Sequence, residues 1–473
     1  MKSNVLEEEV IIKTRKESTN SSTSTSSSLS NEVDNNENEN EIRINIKDNQ
    51  NQEYSKLRRN SEDNLESFLS KIEEVETSKE TFSSKISCCK SIKRINTLME
   101  DENRTIEEII TSKGFKFEKH EVKTDDGYNL ILFRIPGGKN CENGSKLPPV
   151  LLQHGIFDSS DGWVCNGEKH SIAFVLAKNN FDVWLSNSRG NKYCKNHDKF
   201  KTNSFEFWQF SFHDLGIYDI PAVIKYIRKN NNSGEKIIYF GHSQGCSLML
   251  SGLVEKYEFY KENIKLFVAL APVARLNNIG STLLNILSNI SIHKMIEKSE
   301  SYEIGPQSEG TSNFINFMNK NANGLTNFMI GLISDSNSKE CNDQNSLSVY
   351  LKHYPCGTSL KCLIHYIQII KSGKFQRFDY KKNANFAIYH QKEPPEYDLR
   401  TIRDIPIMLI TGEKDKLATP NDVRWLYNEL KTNVIFFDIV PNMGHISFMC
   451  GKDFSWFNEP LEIILEEFYP KKE

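Results

Sequence analysis

No run of about 18 uncharged apolar residues occurs in the chain, so no segment is expected to cross a membrane as a helix. The most apolar stretches, residues 266–274 and 362–370, have only the length of core elements. A basic excess is missing too: Lys+Arg number 59 against 63 Asp+Glu, a net charge of −4. With no single-sign field to attract a polyanion, nucleic acid is not expected as a partner. The ten cysteines include no C-x-x-C pair, and no His spacing suits zinc. Scattered singly except for Cys88-Cys89, they point to reduced thiols in a reducing compartment. A secretory leader needs a basic start and then an apolar run, whereas this chain opens MKSNVLEEEVIIKTRKE; no signal peptide is expected.

Apolar residues are also scarce overall, at 38%, which implies that one part of the chain dilutes another. Residues 18–40 are almost entirely Ser, Thr, Asn and acids, with only Leu29 and Val33 to bury. Such a stretch cannot offset its ordering entropy. Residues 1–98 are therefore read as a disordered polar Ser/Asn-rich tail, in which 65–75 has the pattern of a short amphipathic helix.

Beyond the tail, short apolar runs at 149–153, 181–185, 236–240 and 264–270 are continuous rather than alternating, as in strands buried on both faces. Helical patterns at 170–178, 215–229 and 246–261 lie among them, and 128–135 reads as a further strand ending at Pro136-Gly137-Gly138. Alternating strand and helix predicts an α/β fold with a mostly parallel central sheet. The alternation stops after residue 270 and resumes at 405–411 and 433–440. Residues 99–274 and 405–473 are thus expected to form the two parts of the core. Residues 275–404 are expected to form an inserted helical cap, with helices at 283–290, 314–333 and 360–371, over the sheet edge where open α/β sheets bind ligands.

Gly241-His242-Ser243-Gln244-Gly245 follows an apolar strand and precedes a helical pattern, the context required of a G-x-S-x-G nucleophile elbow. Ser243 is the expected nucleophile. A serine hydroxyl attacks poorly until a base takes its proton and a carboxylate orients that base. In the strand-turn-helix hydrolases the chain order is Ser, acid, His. Asp415 lies just beyond the strand at 405–411, and His445 just beyond the one at 433–440. Of the 11 histidines, six precede or flank the nucleophile and four sit in the expected cap. Among rival acids, Asp404 precedes its strand, Asp438 lies within one, and Glu413 is the near alternative to Asp415. The oxyanion of the attacked ester needs preorganised N–H donors. Gln244, which follows the nucleophile, supplies one. Ile156, in the His154-Gly155-Ile156 loop after an early strand, is read as the other, with Gly155 allowing close approach and His154 holding the loop.

At this point the residues resemble the acid lipase family, the gastric and lysosomal acid lipase and steryl ester hydrolase group. The likeness begins near Thr105, includes Leu152-Gln153-His154-Gly155, the run from Phe181 to Asn191, Glu206-Phe207-Trp208 and Tyr218-Asp219-Ile220-Pro221-Ala222, and continues through Gly241–Gly245, Leu270-Ala271-Pro272-Val273-Ala274, Lys371-Ser372-Gly373-Lys374-Phe375 and Leu417–Val423. The resemblance implies an α/β-hydrolase fold with a cap and hydrolysis of neutral lipid esters, acylglycerols or steryl esters, at a lipid–water interface. The roles it implies for Ser243, Asp415, His445, Ile156 and Gln244 agree with those read above. For Arg189, inside the family segment 187–190, a structural role is expected.

The reading is a serine hydrolase working through an acyl-enzyme, with no metal or organic cofactor. Lipid acyl transfer by the same residues, and a non-catalytic scaffold of the same fold, are the alternatives. The expected location is intracellular, in the cytoplasm or at the periphery of membranes or lipid droplets. Cys88-Cys89, flanked by Lys85, Lys90, Lys93 and Arg94, has the composition of an acylation site beside a basic patch, although two functionless tail cysteines fit the same residues.

Overall fold

The computed structural model describes residues 97–141, 146–280, 302–306 and 338–469. The expected helices at 65–75, 283–290 and 314–333 and the Cys88-Cys89 pair lie outside these residues.

Eleven strands are described: β1 (Glu118–Lys123), β2 (Tyr128–Pro136), β3 (Pro149–Gln153), β4 (Asp182–Leu185), β5 (Asn196–His197), β6 (Ile237–His242), β7 (Ile264–Leu270), β8 (Glu303–Ile304), β9 (Thr358–Ser359), β10 (Ile407–Gly412) and β11 (Val434–Val440). Nine of them make one sheet in the order β1-β2-β4-β3-β6-β7-β10-β11, with β5 on β2, while β8 and β9 pair separately. From β4 to β11 every pairing on this path is parallel; β1–β2 and β2–β4 are antiparallel. The expected α/β fold is therefore present.

The core follows the apolar runs. Every residue of β3, β4, β6 and β10 is buried, as continuous hydrophobicity requires of strands covered on both faces. The two outer strands depart from that pattern for opposite reasons. In β11 the run VIFFDIV is mostly half-buried, and Ile435 is 45% exposed, because a sheet edge lacks a neighbour on one side. In β1 the run EKHEVK buries only Val122 and carries no apolar alternation. Its place comes from pairing with β2, from Glu118 opposite Arg134 to Lys123 opposite Asn129. Charged side chains on an edge strand also discourage pairing with another chain.

Helices α1 (Ile106–Ser112), α2 (Ile172–Lys178), α3 (Ile220–Asn230) and α4 (Gln244–Glu255) belong to the first part of the chain. Thr105 and Glu108 form a reciprocal capping box at the start of α1. The helix expected over 215–229 opens with a wide π turn over Leu215–Asp219 before α3. That expected over 246–261 breaks where Lys256 leaves helical dihedrals, and a separate helix, Tyr257–Asn263, follows. Leu98, the last residue of the expected tail, is 1% exposed and packs into the core.

Between β7 and β10 the described residues hold several helices besides the short strands β8 and β9, and of the three helices expected there only that at 360–371 falls on described residues. Here α5 (Gln344–His353) is capped by the Asp343 side chain and α6 (Leu360–Ser372) by Ser359, whose Oγ accepts the Cys362 N–H at 3.0 Å. Gly373, at φ 68°, ends α6 in the left-handed conformation that a Cβ disfavours. After β10, α7 (Pro420–Leu430) starts at Thr419, which caps it.

Candidate active site

Ser243 sits between β6 and α4 at φ 55°, ψ −115°, a backbone conformation costly for any residue with a Cβ. The flanking glycines show what holds it there. A Cβ on Gly241 would fall 2.7 Å from the Gly245 backbone, and one on Gly245 would fall 2.5 Å from the Gln153 carbonyl oxygen. A side chain at Gly241 would pry the turn open against the start of α4, and one at Gly245 would push it away from β3. The Ser243 N–H donates to the Leu270 carbonyl at 3.0 Å, tying the turn to the end of β7 as well.

The structure brings together the three side chains that sequence order singles out. Ser243 Oγ lies 2.8 Å from His445 Nε2, and His445 Nδ1 lies 2.9 Å from Asp415 Oδ2. The other Asp415 oxygen accepts the N–H groups of Leu417 and Ala418, each at 2.8 Å, so the carboxylate can face only one way. With Asp415 accepting at Nδ1, His445 carries its proton there and presents a lone pair to the serine. All three are buried: Ser243 is 3%, Asp415 3% and His445 4% exposed.

The rival acids point elsewhere. Asp404 pairs with Lys261 at 2.7 Å, and Glu413 accepts the Asn442 N–H at 3.2 Å. Among the other described histidines none has a hydrogen bond to Ser243. His293 lies outside the described residues.

Two histidines instead hold the site's loops. His154 accepts the Ser188 N–H at Nε2, 3.1 Å, and donates from Nδ1 to the Gly155 carbonyl, 2.7 Å. Burial drops its pKa to about 4. His242, which the sequence reading passed over, donates from Nε2 to the His445 carbonyl at 2.9 Å. Burial, with His445 beside it, pushes its pKa down to about 3, so it stays a neutral clamp on the loop that carries His445.

Gln244 is the first residue of α4, where a backbone N–H has no intrahelical acceptor. Its Oε1 accepts from Cys362 Sγ at 2.9 Å. Among the described residues no hydrogen bond engages the Ile156 N–H. Gly155 lets this loop come close, since a Cβ there would sit 3.1 Å from the Ser243 Cβ. Both Ile156 and Gln244 line a cavity of about 380 Å³ together with Ser243, Val273, Leu276, Leu363, Tyr366, Ile367, Ile370 and Leu417. The wall is apolar apart from groups at the elbow and the Tyr366 hydroxyl, which already donates to Ser247 at 2.9 Å. A second cavity of about 270 Å³ also reaches Ser243 and contains His445, with Asp158, Tyr350 and Tyr354 in its wall. Sequence reading missed these three: Asp158 stands four residues beyond His154, and Tyr350 meets it only through the folding of the insertion.

Arg189 is engaged in a network of its own. Its guanidinium reaches Asp126 at 2.6 and 2.9 Å and Asp219 at 2.7 Å, and stacks 3.9 Å from the centre of the Tyr128 ring. Burial opposes its charge, but the two carboxylates outweigh burial and hold it more firmly protonated than an ordinary arginine. It joins the β1–β2 turn to the segment leading into α3. Among the described residues no cluster of three His, Cys, Asp or Glu side chains is placed to hold a metal ion, and no helix is long and apolar enough to cross a membrane.

The family profile for a partial alpha/beta-hydrolase lipase region matches residues 106–167, and that for the alpha/beta hydrolase fold matches residues 148–451. Human gastric triacylglycerol lipase is 37% identical over 359 residues, covering 74% of this chain and 87% of the relative. Human lysosomal acid lipase/cholesteryl ester hydrolase is 34% identical over 363 residues, 75% and 89% of the two chains. Human lipase member K is 33% identical over 384 residues, 80% and 94%. Similarity of this extent spans both parts of the sheet and the insertion between them, so the chain belongs to the α/β-hydrolase fold family, in the group of the gastric and lysosomal acid lipases.

Proposed function

We propose that the chain is a carboxylic ester hydrolase acting on neutral lipid esters, with Ser243 as nucleophile, His445 as general base and then general acid, and Asp415 as its orienting carboxylate. The observation that carries this reading is the unbroken hydrogen-bond chain from Asp415 through His445 to Ser243 Oγ, opening on an apolar cavity.

The steps follow from that arrangement. His445 Nε2 accepts the hydroxyl proton as Ser243 Oγ attacks the ester carbonyl. The carbonyl oxygen becomes an oxyanion, for which the N–H groups of Gln244 and Ile156 are the donors; one such donor is worth about 3–4 kcal/mol. As the tetrahedral intermediate collapses, the imidazolium gives its proton to the departing alcohol oxygen. Water then repeats the sequence against the acyl-enzyme, with His445 taking the proton of the water and returning it to Ser243. Asp415 orients the imidazole and stabilises the imidazolium through the Nδ1 hydrogen bond. The apolar lining beside Ser243 matches the chemistry of an aliphatic acyl chain, and the printed names of the relatives, a triacylglycerol lipase and a cholesteryl ester hydrolase, support a lipid substrate. We read residues 275–404 as the cap over this cavity: α6 supplies Leu363, Tyr366, Ile367 and Ile370 to its wall.

The test is covalent. A fluorophosphonate probe should label the wild-type chain stoichiometrically at Ser243 and leave Ser243→Ala unlabelled, and the variant should lose hydrolysis of a long-chain ester. Equal labelling of the two proteins, or turnover by Ser243→Ala at more than about one thousandth of wild type, sinks the assignment.

A further inference from the structure

The two cavities that meet at Ser243 are chemically unlike, and the reaction tells them apart. The departing alcohol oxygen must take its proton from His445 Nε2, so the alcohol portion of the ester belongs in the cavity that contains His445. The acyl chain belongs in the apolar one beside Gln244.

The His445 side has a wall that an aliphatic alcohol would not need. Asp158 is 3% exposed and carries its carboxyl into a region with no cation bonded to it among the described residues. The nearby Lys192 is bonded to Asp161 instead, at 2.6 Å. Asp158 Oδ1 accepts the Ser159 N–H at 2.7 Å, and Oδ2 accepts the Tyr350 hydroxyl at 3.0 Å. Those two donors occupy about half of the acceptor sites of a carboxylate. Burial lifts its pKa to about 7, so near neutrality the group can either accept a hydrogen bond or donate one. The Tyr354 ring stacks on Tyr350, centroids 5.3 Å apart, and its hydroxyl makes no hydrogen bond among the described residues. A buried, half-satisfied carboxyl beside an unused phenol suits a ligand that brings hydroxyls of its own.

We propose that Asp158, Tyr350 and Tyr354 bind a free hydroxyl of the alcohol portion, so that the chain cleaves partial acylglycerols in preference to esters of alcohols without a second hydroxyl. This rests on the ester-hydrolase reading above. A carboxyl that served only to latch α5 to the 154–158 loop would be indifferent to the alcohol.

The experiment uses the full chain and two substrates with the same acyl group and a three-carbon alcohol, glyceryl monooleate and propyl oleate, in the same detergent micelles, with cholesteryl oleate as a third. The kcat/KM for glyceryl monooleate should exceed that for propyl oleate by about tenfold or more, the discrimination that one hydrogen bond to an ionisable group supplies. Cholesteryl oleate should fall with propyl oleate or below it. Asp158→Leu and Tyr354→Phe should each shrink the glyceryl-to-propyl ratio, with thermal unfolding as the check on folding. Equal rates on the two esters in the wild type overturn the proposal, and so does an unchanged ratio in both variants. If Asp158→Leu does not fold, the wild-type ratio and Tyr354→Phe still decide. Absence of turnover on all three oleates and on p-nitrophenyl butyrate overturns the ester-hydrolase reading itself, and this proposal with it.

Discussion

Asp415 shows how one side chain is held to a single task. Two backbone N–H groups fix one oxygen, leaving the other for His445. Asp415→Asn keeps the shape but can offer an amide where an acceptor is needed, turning the imidazole toward the wrong tautomer. Its kcat should fall by about three to four orders of magnitude with little change in unfolding temperature, measured by ester turnover and calorimetry side by side. Asp158 makes the opposite case, a carboxyl disfavoured in its charged form. Unfolded it ionises near the ordinary value of about 3.9; folded, burial raises this to about 7. Between those values the native state keeps a proton that the unfolded chain has released, so this group's contribution to stability falls as pH rises and is lowest above about 7. Asp158→Asn cannot ionise. It should raise the Tm relative to wild type at about pH 8 and differ little at about pH 4, a comparison two calorimetric scans per protein would make. The first of these residues is legible in sequence because it follows an identifiable strand in a fixed chain order. The second is not, since its meaning comes from Tyr350, 192 positions away.

At the scale of elements, the turn at Ser243 depends on close backbone approach, which its two flanking glycines permit. Gly245→Ala places a methyl within 2.5 Å of the Gln153 carbonyl oxygen. The clash should cost about 1–3 kcal/mol and lower kcat by displacing Ser243 and the Gln244 N–H together. Both effects are measurable, by denaturant unfolding and by turnover. The His445 loop depends on a different element. Ser447 Oγ accepts the Gly444 N–H at 3.0 Å and donates to Asn342 Oδ1 at 2.7 Å, while Asn342 and Gly451 form an antiparallel bridge. Asn342→Ala should therefore reduce kcat more than KM, because it loosens the loop that carries His445, the proposed base, and leaves both cavities intact. An effect confined to KM would contradict this. Central strands were readable from continuous apolar runs. Strand β1 was not, because EKHEVK has no apolar alternation and takes its conformation from its partner.

For the whole molecule, the legible features are those with local causes: the parallel sheet, the strand-turn-helix at Ser243, and the chain order of Ser243, Asp415 and His445, which the fold brings into hydrogen-bond contact. Contacts between the insertion and the core were hidden, since no spacing in the sequence announces that Tyr350 or Asn342 will reach across. The division of the chain into units ending at Ser87 and beginning at Cys88 gives a direct test of self-sufficiency. A chain truncated to start at Cys88 should unfold cooperatively and retain ester turnover within about twofold of the full protein. Loss of either would mean that the preceding residues complete the fold.

The Asn342–Gly451 bridge also bears on how this protein could be re-engineered. The Asp343 N–H donates to the Cys450 carbonyl and the Lys452 N–H to that of Cys341, at 2.9 and 3.1 Å, so backbone from the insertion and backbone from the loop carrying His445 are stitched into one seam. Chimaeras that graft a foreign insertion onto this core must bring the matching 445–452 segment along with it, or they will inherit a new mouth and a misplaced imidazole.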